Sequence, residues 1–228
     1  MRTMQTMYAN IAARTKPWLG LCSLAGLLLL GGCAAVPQSP ARPVLYDFGP
    51  GLLMPQPADP RTPLSAVVLA DVQGASYADA STAVLYRLAY ADARQLRPYQ
   101  LARWSQPPAQ LLEQELRTAL GQRRAVLRAT DARAAAPGAT GVRPAVLRVQ
   151  LEEFSQVFTS PSDSVGLVRV RATVVVPGAT GDQLLGQRLF TVRQPATSAD
   201  AVGGTRALAE AAAQAAQELA QWLQEVQR

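Results

Sequence analysis

Two cysteines, Cys22 and Cys33, are the first candidates for chemistry in this chain of 228 residues. Cys33 directly follows the tripeptide Leu-Gly-Gly at 30–32, so small residues precede it and a leucine stands three positions earlier. Small residues at a cleavage point are what a signal peptidase accepts. Cys22 instead follows the bulky Leu21 and lies inside an apolar run. The sequence therefore predicts cleavage before Cys33 and attachment of lipid to its thiol.

The residues before Cys33 predict an export signal, 1–32. Arg2, Arg14 and Lys16 make its start basic, and an apolar run spans 18–30. This run is shorter than the roughly 20 residues that a membrane-spanning helix needs. Signal peptides of bacterial lipoproteins have this pattern. Two alternatives are an ordinary secretory signal followed by an unrelated cysteine and a plain transmembrane anchor.

Acylation of Cys33 would give the mature chain a permanent anchor. A single acyl chain binds a membrane only marginally, whereas the two or three chains of a lipoprotein cysteine hold it firmly. Ala34 follows the cysteine where an aspartate would retain the protein at the inner membrane. We therefore expect a lipid-anchored protein on the periplasmic face of the outer membrane.

Missing residue types exclude most catalytic sites. The chain has no histidine, and its only lysine, Lys16, is removed with the signal. A Ser-His-Asp triad, histidine metal ligands, a P-loop lysine and a Schiff-base lysine are thereby excluded. Glu152 and Glu153 remain, but adjacent residues of a strand point to opposite faces. We expect no enzyme activity, no catalytic residue, no cofactor and no metal.

The charge of the mature chain is small. Removal of residues 1–32 leaves 19 basic and 16 acidic residues, a formal charge of +3. The densest basic stretch comprises Arg123, Arg124, Arg128 and Arg133. In an exported protein we interpret this stretch as a solvated strand or loop, with contact to anionic lipid headgroups as the alternative. Nucleic acid is not an expected partner.

Proline content divides the mature chain into a tether, 33–63, and a domain, 64–228. Eight prolines between 34 and 63 favour extended conformations, with a reach on the order of 100 Å for the whole tether. Within it, the apolar segment 44–49 is expected to dock as an edge strand or a strap. Because Cys33 is the only cysteine left after processing, the mature chain cannot form an internal disulfide.

Alternating apolar residues predict the strands of a sheet. The expected strands span 66–72, 84–90, 96–104, 125–130, 147–158, 168–176 and 184–193. The last two should form an antiparallel hairpin through the turn Pro-Gly-Ala-Thr-Gly at 177–181. Pro98 predicts an edge position or a bulge because proline cannot donate to a sheet ladder. A change in the parity of the apolar residues predicts another bulge near Glu152 and Glu153.

Two helices complete the predicted domain. The first should begin near Pro107, with Ser105 as its cap and Gly121 as its stop. The second spans about 201–226 and carries an apolar stripe comprising Leu208, Ala212, Ala215, Leu219, Trp222 and Val226. We interpret the stripe as core packing rather than a coiled coil with another chain. The element order predicts an α+β fold: a mixed, mainly antiparallel sheet with two main helices in a layered α/β sandwich.

Several short motifs resemble the ABC-type transport auxiliary lipoprotein family. They are Tyr-Asp-Phe-Gly-Pro at 46–50, Leu-Tyr-Arg at 85–87, Gln-Leu-Arg-Pro-Tyr at 95–99, and Arg103-Trp104 followed by Pro-Pro at 107–108. The resemblance covers about 46–222. The segment from Tyr99 to Pro108 carries it most specifically. Ser105 departs from the family, which usually has alanine there.

The resemblance implies a non-enzymatic partner of an ABC transporter. Such systems combine a permease and an ATPase with a mammalian-cell-entry domain protein, and they move phospholipids or other hydrophobic molecules between membranes. The implied fold has three layers and resembles the N-terminal domain of the translocation protein TolB. A structural or assembly lipoprotein of another envelope or secretion complex is the alternative function, and a homo-oligomer is possible.

Arg103 and Trp104 are a candidate partner-contact site. The favoured alternative is structural: Trp104 covers the start of the helix, and Arg103 faces solvent or stacks on it. An apolar docking surface is expected at one of two places, the edge at 98–104 or the outer side of the helix at 208–226.

Overall fold

Nine strands and four helices make up residues 41–50, 64–74, 81–134 and 143–227, which are those that the computed structural model describes. The strands are β1 (Val44–Tyr46), β2 (Val67–Leu69), β3 (Gln73–Gly74), β4 (Ala83–Leu88), β5 (Ala93–Trp104), β6 (Val126–Arg128), β7 (Ala145–Phe158), β8 (Ser164–Gly178) and β9 (Gly181–Pro195). The helices are α1 (Ala89–Asp92), α2 (Pro108–Gly121), α3 (Ala129–Ala134) and α4 (Ala201–Val226).

The sheet is organised around β7. Along one edge β7 pairs antiparallel with β8, and β8 pairs antiparallel with β9 over its whole length. Along its other edge β7 pairs in parallel with β2, β3 and β4 at successive positions. Beyond these, β6 joins β2, β5 joins β4, and β1 joins β5. The predicted α+β fold with a mixed, mainly antiparallel sheet is confirmed.

The β8–β9 hairpin follows the predicted alternation. Val168, Val170 and the residues that continue this period are buried, while the intervening arginines are half-buried. Gly178 pairs with Gly181 at the turn, and Gly181 has a φ of +136°. Only glycine adopts such a backbone conformation without strain. The turn sequence therefore closes the hairpin as expected.

The start of α2 differs from the prediction. Pro107, not Ser105, is its N-cap, and no side chain caps the helix. The backbone N–H of Ser105 instead donates to the carbonyl of Tyr46 at 2.7 Å. Pro108 occupies the first turn, where a missing N–H leaves no hydrogen bond unmade. At α4, the Asp200 carboxylate accepts from the N–H of Gly203 at 2.9 Å and caps the helix.

The hydrophobic core lies between one face of the sheet and the two long helices. α2 packs against α4, and α4 packs on β7, β8 and β9. The predicted stripe of α4 belongs to this core, with Leu208 and Leu219 almost fully buried. Core packing is thus confirmed, and the stripe does not face outward as a coiled-coil seam would.

The opposite face of the sheet carries many polar side chains. The half-buried or exposed residues of this face include Arg148, Gln150, Arg169, Arg171 and Thr173. We call this surface the open face. In the described part of the chain the two long helices share a single side of the sheet. The result is two layers, not the three that the family resemblance implied.

α4 approaches the sheet closely at two glycines. A Cβ on Gly166 would lie 2.6 Å from the carbonyl carbon of Ala207 and 2.6 Å from the nitrogen of Leu208. A Cβ on Gly204 would overlap the side chain of Gln156. Glycine is therefore required at both positions for the helix to pack at this distance.

Two short helices were not predicted. α1 occupies the connection between β4 and β5, so the strand expected to reach Tyr90 ends at Leu88. The Arg87 guanidinium donates to the carbonyls of Ala93 and Arg94, each at 3.2 Å, and holds this connection. These contacts are tertiary, which is why the local pattern does not reveal them.

Candidate functional site

Trp104 lies at the centre of an aromatic cluster, which comprises Phe48, Trp104 and Phe154. Only 1% of the surface of Trp104 is exposed to solvent. The Phe48 ring meets it edge-on at 5.7 Å, and the Phe154 ring lies 5.5 Å away. Phe48 also stacks on Phe154 at 5.9 Å. Trp104 is therefore a core residue that no partner can reach.

Arg103 does not act together with Trp104. Its Nη1 donates to the carbonyls of Tyr99 at 2.6 Å and Ala102 at 2.8 Å. Because neighbouring residues of a strand point to opposite faces, Arg103 lies on the open face while Trp104 enters the core. The structural interpretation of this pair is supported, and the structure does not form a joint contact site.

β1 covers the last part of the predicted docking edge at 98–104, namely residues 102–104. Val44 and Tyr46 pair with Ala102 and Trp104, so the predicted edge strand at 44–49 is confirmed for its first three residues. The backbone of β5 at this place is already hydrogen-bonded. Leu101, 52% exposed, is the main apolar side chain that the segment leaves accessible.

The outer side of α4 is not apolar. Besides Val202 at its start, the exposed residues of this helix are Arg206, Glu210, Gln214, Gln217, Gln221 and Glu225. The second predicted docking surface was therefore wrong. The apolar residues between 208 and 226 pack inside the domain and are not available to a partner.

Glu152 and Glu153 share the open face, contrary to the prediction. The register of β7 against β8 shifts between Leu151 and Glu153, which confirms the predicted bulge. Two consecutive side chains can then lie on one side of the sheet. Glu152 accepts from Arg171 at 2.7 Å and from Arg169 at 3.3 Å. Both carboxylates are held in ion pairs with arginines.

Glu153 forms the most enclosed of these ion pairs. The Nε and Nη2 of Arg87 donate to its two oxygens at 3.1 Å each, and both side chains are less than 20% exposed. The Ser155 hydroxyl donates to the same carboxylate at 2.5 Å. A two-pronged arginine contact of this kind fixes β4 against β7.

A buried polar cluster at one end of the sheet was missed by the sequence prediction. The Tyr99 hydroxyl donates to Oε1 of Gln156 at 2.8 Å, and the Gln156 amide donates to Ser164 at 2.8 Å. Burial, followed by the charges of Tyr86 and Asp200, raises the pKa of Tyr99 to about 12. A glutamine within an apolar strand was the available signal, because such a side chain needs partners.

The basic stretch at 123–133 is not uniformly solvated. Arg124 is buried, and its guanidinium donates to the side chain of Gln227. Burial lowers the pKa of Arg124, and the adjacent charge of Arg123 lowers it further. The Nη1 of Arg123 donates to Gln224 at 2.9 Å. These arginines join the end of α2 to the end of α4, so the solvated interpretation was wrong for Arg124.

Exposed large apolar side chains fall into two groups in the described part of the chain. The first group, which we call the leader-end group after the N-terminal segment that enters the sheet at β1, comprises Val44, Leu45, Tyr90, Leu101 and Val202. The β9 group comprises Leu184, Leu185 and Leu189. These groups are the surfaces at which this domain can bury further apolar area, and they form the candidate functional sites.

Cys33, the predicted lipid attachment site, lies outside the described residues. Within the described ranges, no cluster of His, Cys, Asp and Glu side chains is arranged to hold a metal ion. No helix in the same ranges is long and apolar enough to cross a membrane.

Residues 52–220 match the family described as ABC-type transport auxiliary lipoprotein component. The chain belongs to this family. No curated protein matches the sequence at a significant level. As an auxiliary lipoprotein component, the chain is associated by its family with an ABC transport system and with a membrane.

Two solved structures share the fold of this auxiliary lipoprotein. Protein XCC0632 from Xanthomonas campestris, of the family DUF330, is 21% identical with a TM-score of 0.60, over 74% of this chain and 90% of the other. An uncharacterized protein is 15% identical with a TM-score of 0.55, over 80% and 99% of the two chains. At these identities the likeness establishes the fold alone.

Proposed function

We propose that this auxiliary lipoprotein is a non-enzymatic component of an ABC transporter of the mammalian-cell-entry type, which moves lipids between the two membranes. It would be acylated on Cys33 and held at the outer membrane with its domain in the periplasm. The observation that carries the proposal is the family match over 52–220, and the predicted lipoprotein signal at 1–32, directly before Cys33, supports it.

β1 lies inside the predicted tether and shortens the part of it that separates the membrane from the domain. We call this part, residues 34–43, the leash. Since Val44 is already part of the sheet, ten residues, 34–43, join Cys33 to the sheet. Ten residues span at most about 35 Å at 3.3–3.6 Å per residue. The domain would therefore stay near the anchoring membrane, and the transporter component would have to approach it there.

The β9 group is the surface that we assign to the transporter partner. In the described part of the chain, the outer edge of β9 pairs with no further strand, and Leu184 is 61% exposed beside it. An unpaired strand edge with accessible leucines can receive a strand or an apolar ridge from another protein. Leu184 pairs with Val175, which pairs with Val146 at the end of the sheet where β7 begins, and Leu189 lies nearer the middle of the sheet, opposite Arg171.

Co-purification from membranes tests this proposal. A tagged full-length lipoprotein, extracted in mild detergent, should bring down a mammalian-cell-entry protein, a permease and an ATPase encoded nearby. The double variant Leu184→Ser and Leu189→Ser should lose these proteins while remaining acylated and folded. Val202→Ser, an equally exposed apolar position at the other end, is the matched control and should retain them.

Two outcomes would count against the transporter role. Recovery of a different envelope or secretion complex would favour the assembly lipoprotein alternative. Equal recovery of the transporter with the double variant and with the control would leave the role intact but remove β9 as the contact surface.

A further inference from the structure

The direction of β1 shows where the leash leaves the domain. β1 runs parallel to β5, and β5 runs antiparallel to β4, which is itself parallel to β7. The chain before Val44 therefore heads toward the end of the sheet at which β7 finishes, near Phe158. The β8–β9 turn lies at the other end, where Val146 pairs with Val175. Between Val146 and Phe158 the sheet extends about 40 Å at ~3.3 Å per residue.

Two leucines of the leader-end group lie side by side next to the point at which the leash joins the sheet. Leu45 pairs with Arg103, so its side chain shares the open face with Leu101, two residues earlier on β5. These leucines are 68% and 52% exposed. Tyr90 follows Leu88, which pairs with Phe158 at the very end of β7.

Val202 brings the helical layer to the same end. It lies in the first turn of α4, two residues before Gly204, which packs against Gln156 of β7. Its side chain is 59% exposed. Exposed apolar residues therefore occur in both layers of the domain near this end of the sheet.

Arginines lie among the exposed apolar residues at this end. Arg42, Arg94, Arg97 and Arg103 precede β1 or lie on β5, while the acidic residues of this end are Asp47, Asp92, Asp163 and Asp200. Arg94 is 93% exposed in its side chain. Exposed apolar residues interleaved with arginines are typical of surfaces that rest in the headgroup region of a membrane.

We infer that the leader-end group contacts the lipid bilayer that holds the acyl chains, so that the domain lies on the membrane in a fixed orientation with the β9 edge directed away from it. This inference rests on the proposed acylation of Cys33. A leash of at most about 35 Å keeps the group within reach of lipid, where even weak insertion is strengthened by high effective concentration.

Depth-dependent quenching tests the orientation on the full acylated protein. Since Cys33 would be blocked by acylation and Cys22 removed with the signal, an introduced cysteine is the only free thiol. A dye on Leu45→Cys, Leu101→Cys or Tyr90→Cys is compared with one on Leu184→Cys. The protein is inserted in vesicles of phosphatidylethanolamine and phosphatidylglycerol with a nitroxide on the headgroup. We expect strong loss of fluorescence at 45, 90 and 101 and none above the solution background at 184.

A second variant separates membrane contact from mere proximity. With Leu45→Asp and Leu101→Asp combined, the dye at position 90 should lose its quenching, while thermal unfolding of the protein stays unchanged because both side chains are exposed. Retained quenching in this variant would overturn the inference.

The remaining outcomes are distinguishable by mass spectrometry of the N-terminal peptide. An acylated Cys33 with equal, weak quenching at all positions overturns membrane contact and leaves the proposed anchor standing. A chain without acyl groups removes the anchor itself. Equal shielding of the dye at 45 in detergent micelles without phospholipid would show that another copy of the chain covers the group, which also overturns the inference.

Discussion

Phe48→Ala tests whether β1 is held on the domain by the aromatic cluster. The Phe48 ring contacts both Trp104 and Phe154, at 5.7 and 5.9 Å. Truncation of a fully buried phenylalanine costs about 3–5 kcal/mol, and Phe48 is half-buried, so about half of that cost applies. Loss of the aromatic pairs adds about 0.5–1.5 kcal/mol. We expect a loss of about 3 kcal/mol for the docked segment.

Hydrogen exchange at individual backbone amides measures this loss of stability at β1 itself. The backbone N–H of Ser105 donates to the carbonyl of Tyr46, so it is protected only while β1 is docked. A loss of about 3 kcal/mol corresponds to roughly 100-fold faster opening at 1.36 kcal/mol per decade. The measurement uses the mature chain with Cys33→Ser and no detergent, followed by hydrogen exchange of Ser105 and the β1 amides.

Leu45→Ala is the matched control on the same strand. Its side chain is 68% exposed, and a surface substitution of this kind changes stability by about 0.5 kcal/mol or less. If Phe48→Ala and Leu45→Ala accelerate exchange at Ser105 equally, the aromatic cluster does not hold β1. The leash between Cys33 and the sheet would then be longer than ten residues.

Three further predictions concern packing, processing and pH. Gly166→Ala places a Cβ against the backbone of α4 and should destabilise by about 3 kcal/mol, which is roughly 6–12 °C in Tm, whereas Gly121→Ala, with open space around it, should not destabilise. Cys33→Ala should abolish labelling by a clickable fatty acid, and persistent labelling would contradict the predicted site. The N–H of Gly203, followed by the hydroxyl of Ser198, holds the pKa of Asp200 below its usual value. The stabilisation that the Asp200 carboxylate gives to the folded state is therefore complete above about pH 4, and it is lost as the pH falls through the pKa of the folded state. Asp200→Ala should cost about 1 kcal/mol at neutral pH and make acid unfolding shallower, which a series of thermal melts would show.

The local periodicity of apolar residues was sufficient to predict the strands and helices that bury only one face. The alternation at 168–176 predicted β8, and the stripe that begins at Leu208 predicted α4, because each pattern directly reflects a buried face. The bulge near Glu152 was also readable, since a change of parity in apolar residues has few other causes.

Tertiary contacts decided the features that the sequence did not predict. Ser105 has the side chain of a cap, but its backbone bonds to β1, and Pro107 takes the cap position. The bulge was predicted, yet its consequence for the faces of Glu152 and Glu153 was not. Trp104 remained a candidate contact residue beside the favoured structural interpretation because the ring that covers it, Phe48, lies more than fifty positions earlier in the sequence.

The candidate surfaces were the least predictable feature. An apolar residue in a sequence predicts core and contact surface equally well, so the outer side of α4 could not be judged before its partners were known. Leu45 and Leu184 are exposed because no described segment covers them. Sequence patterns cannot distinguish such residues from their buried neighbours on the same strands.

Direct binding to the transporter component tests the central claim most closely. The acylated lipoprotein in nanodiscs would be titrated with the purified periplasmic part of the mammalian-cell-entry protein encoded beside it, and association would be followed by interferometry. The account predicts a saturable complex with a Kd of about 10 µM or tighter, weakened at least about tenfold, or 1.4 kcal/mol, by Leu184→Ser with Leu189→Ser. No association at several times that concentration, with acylation of Cys33 verified, would contradict the transporter role.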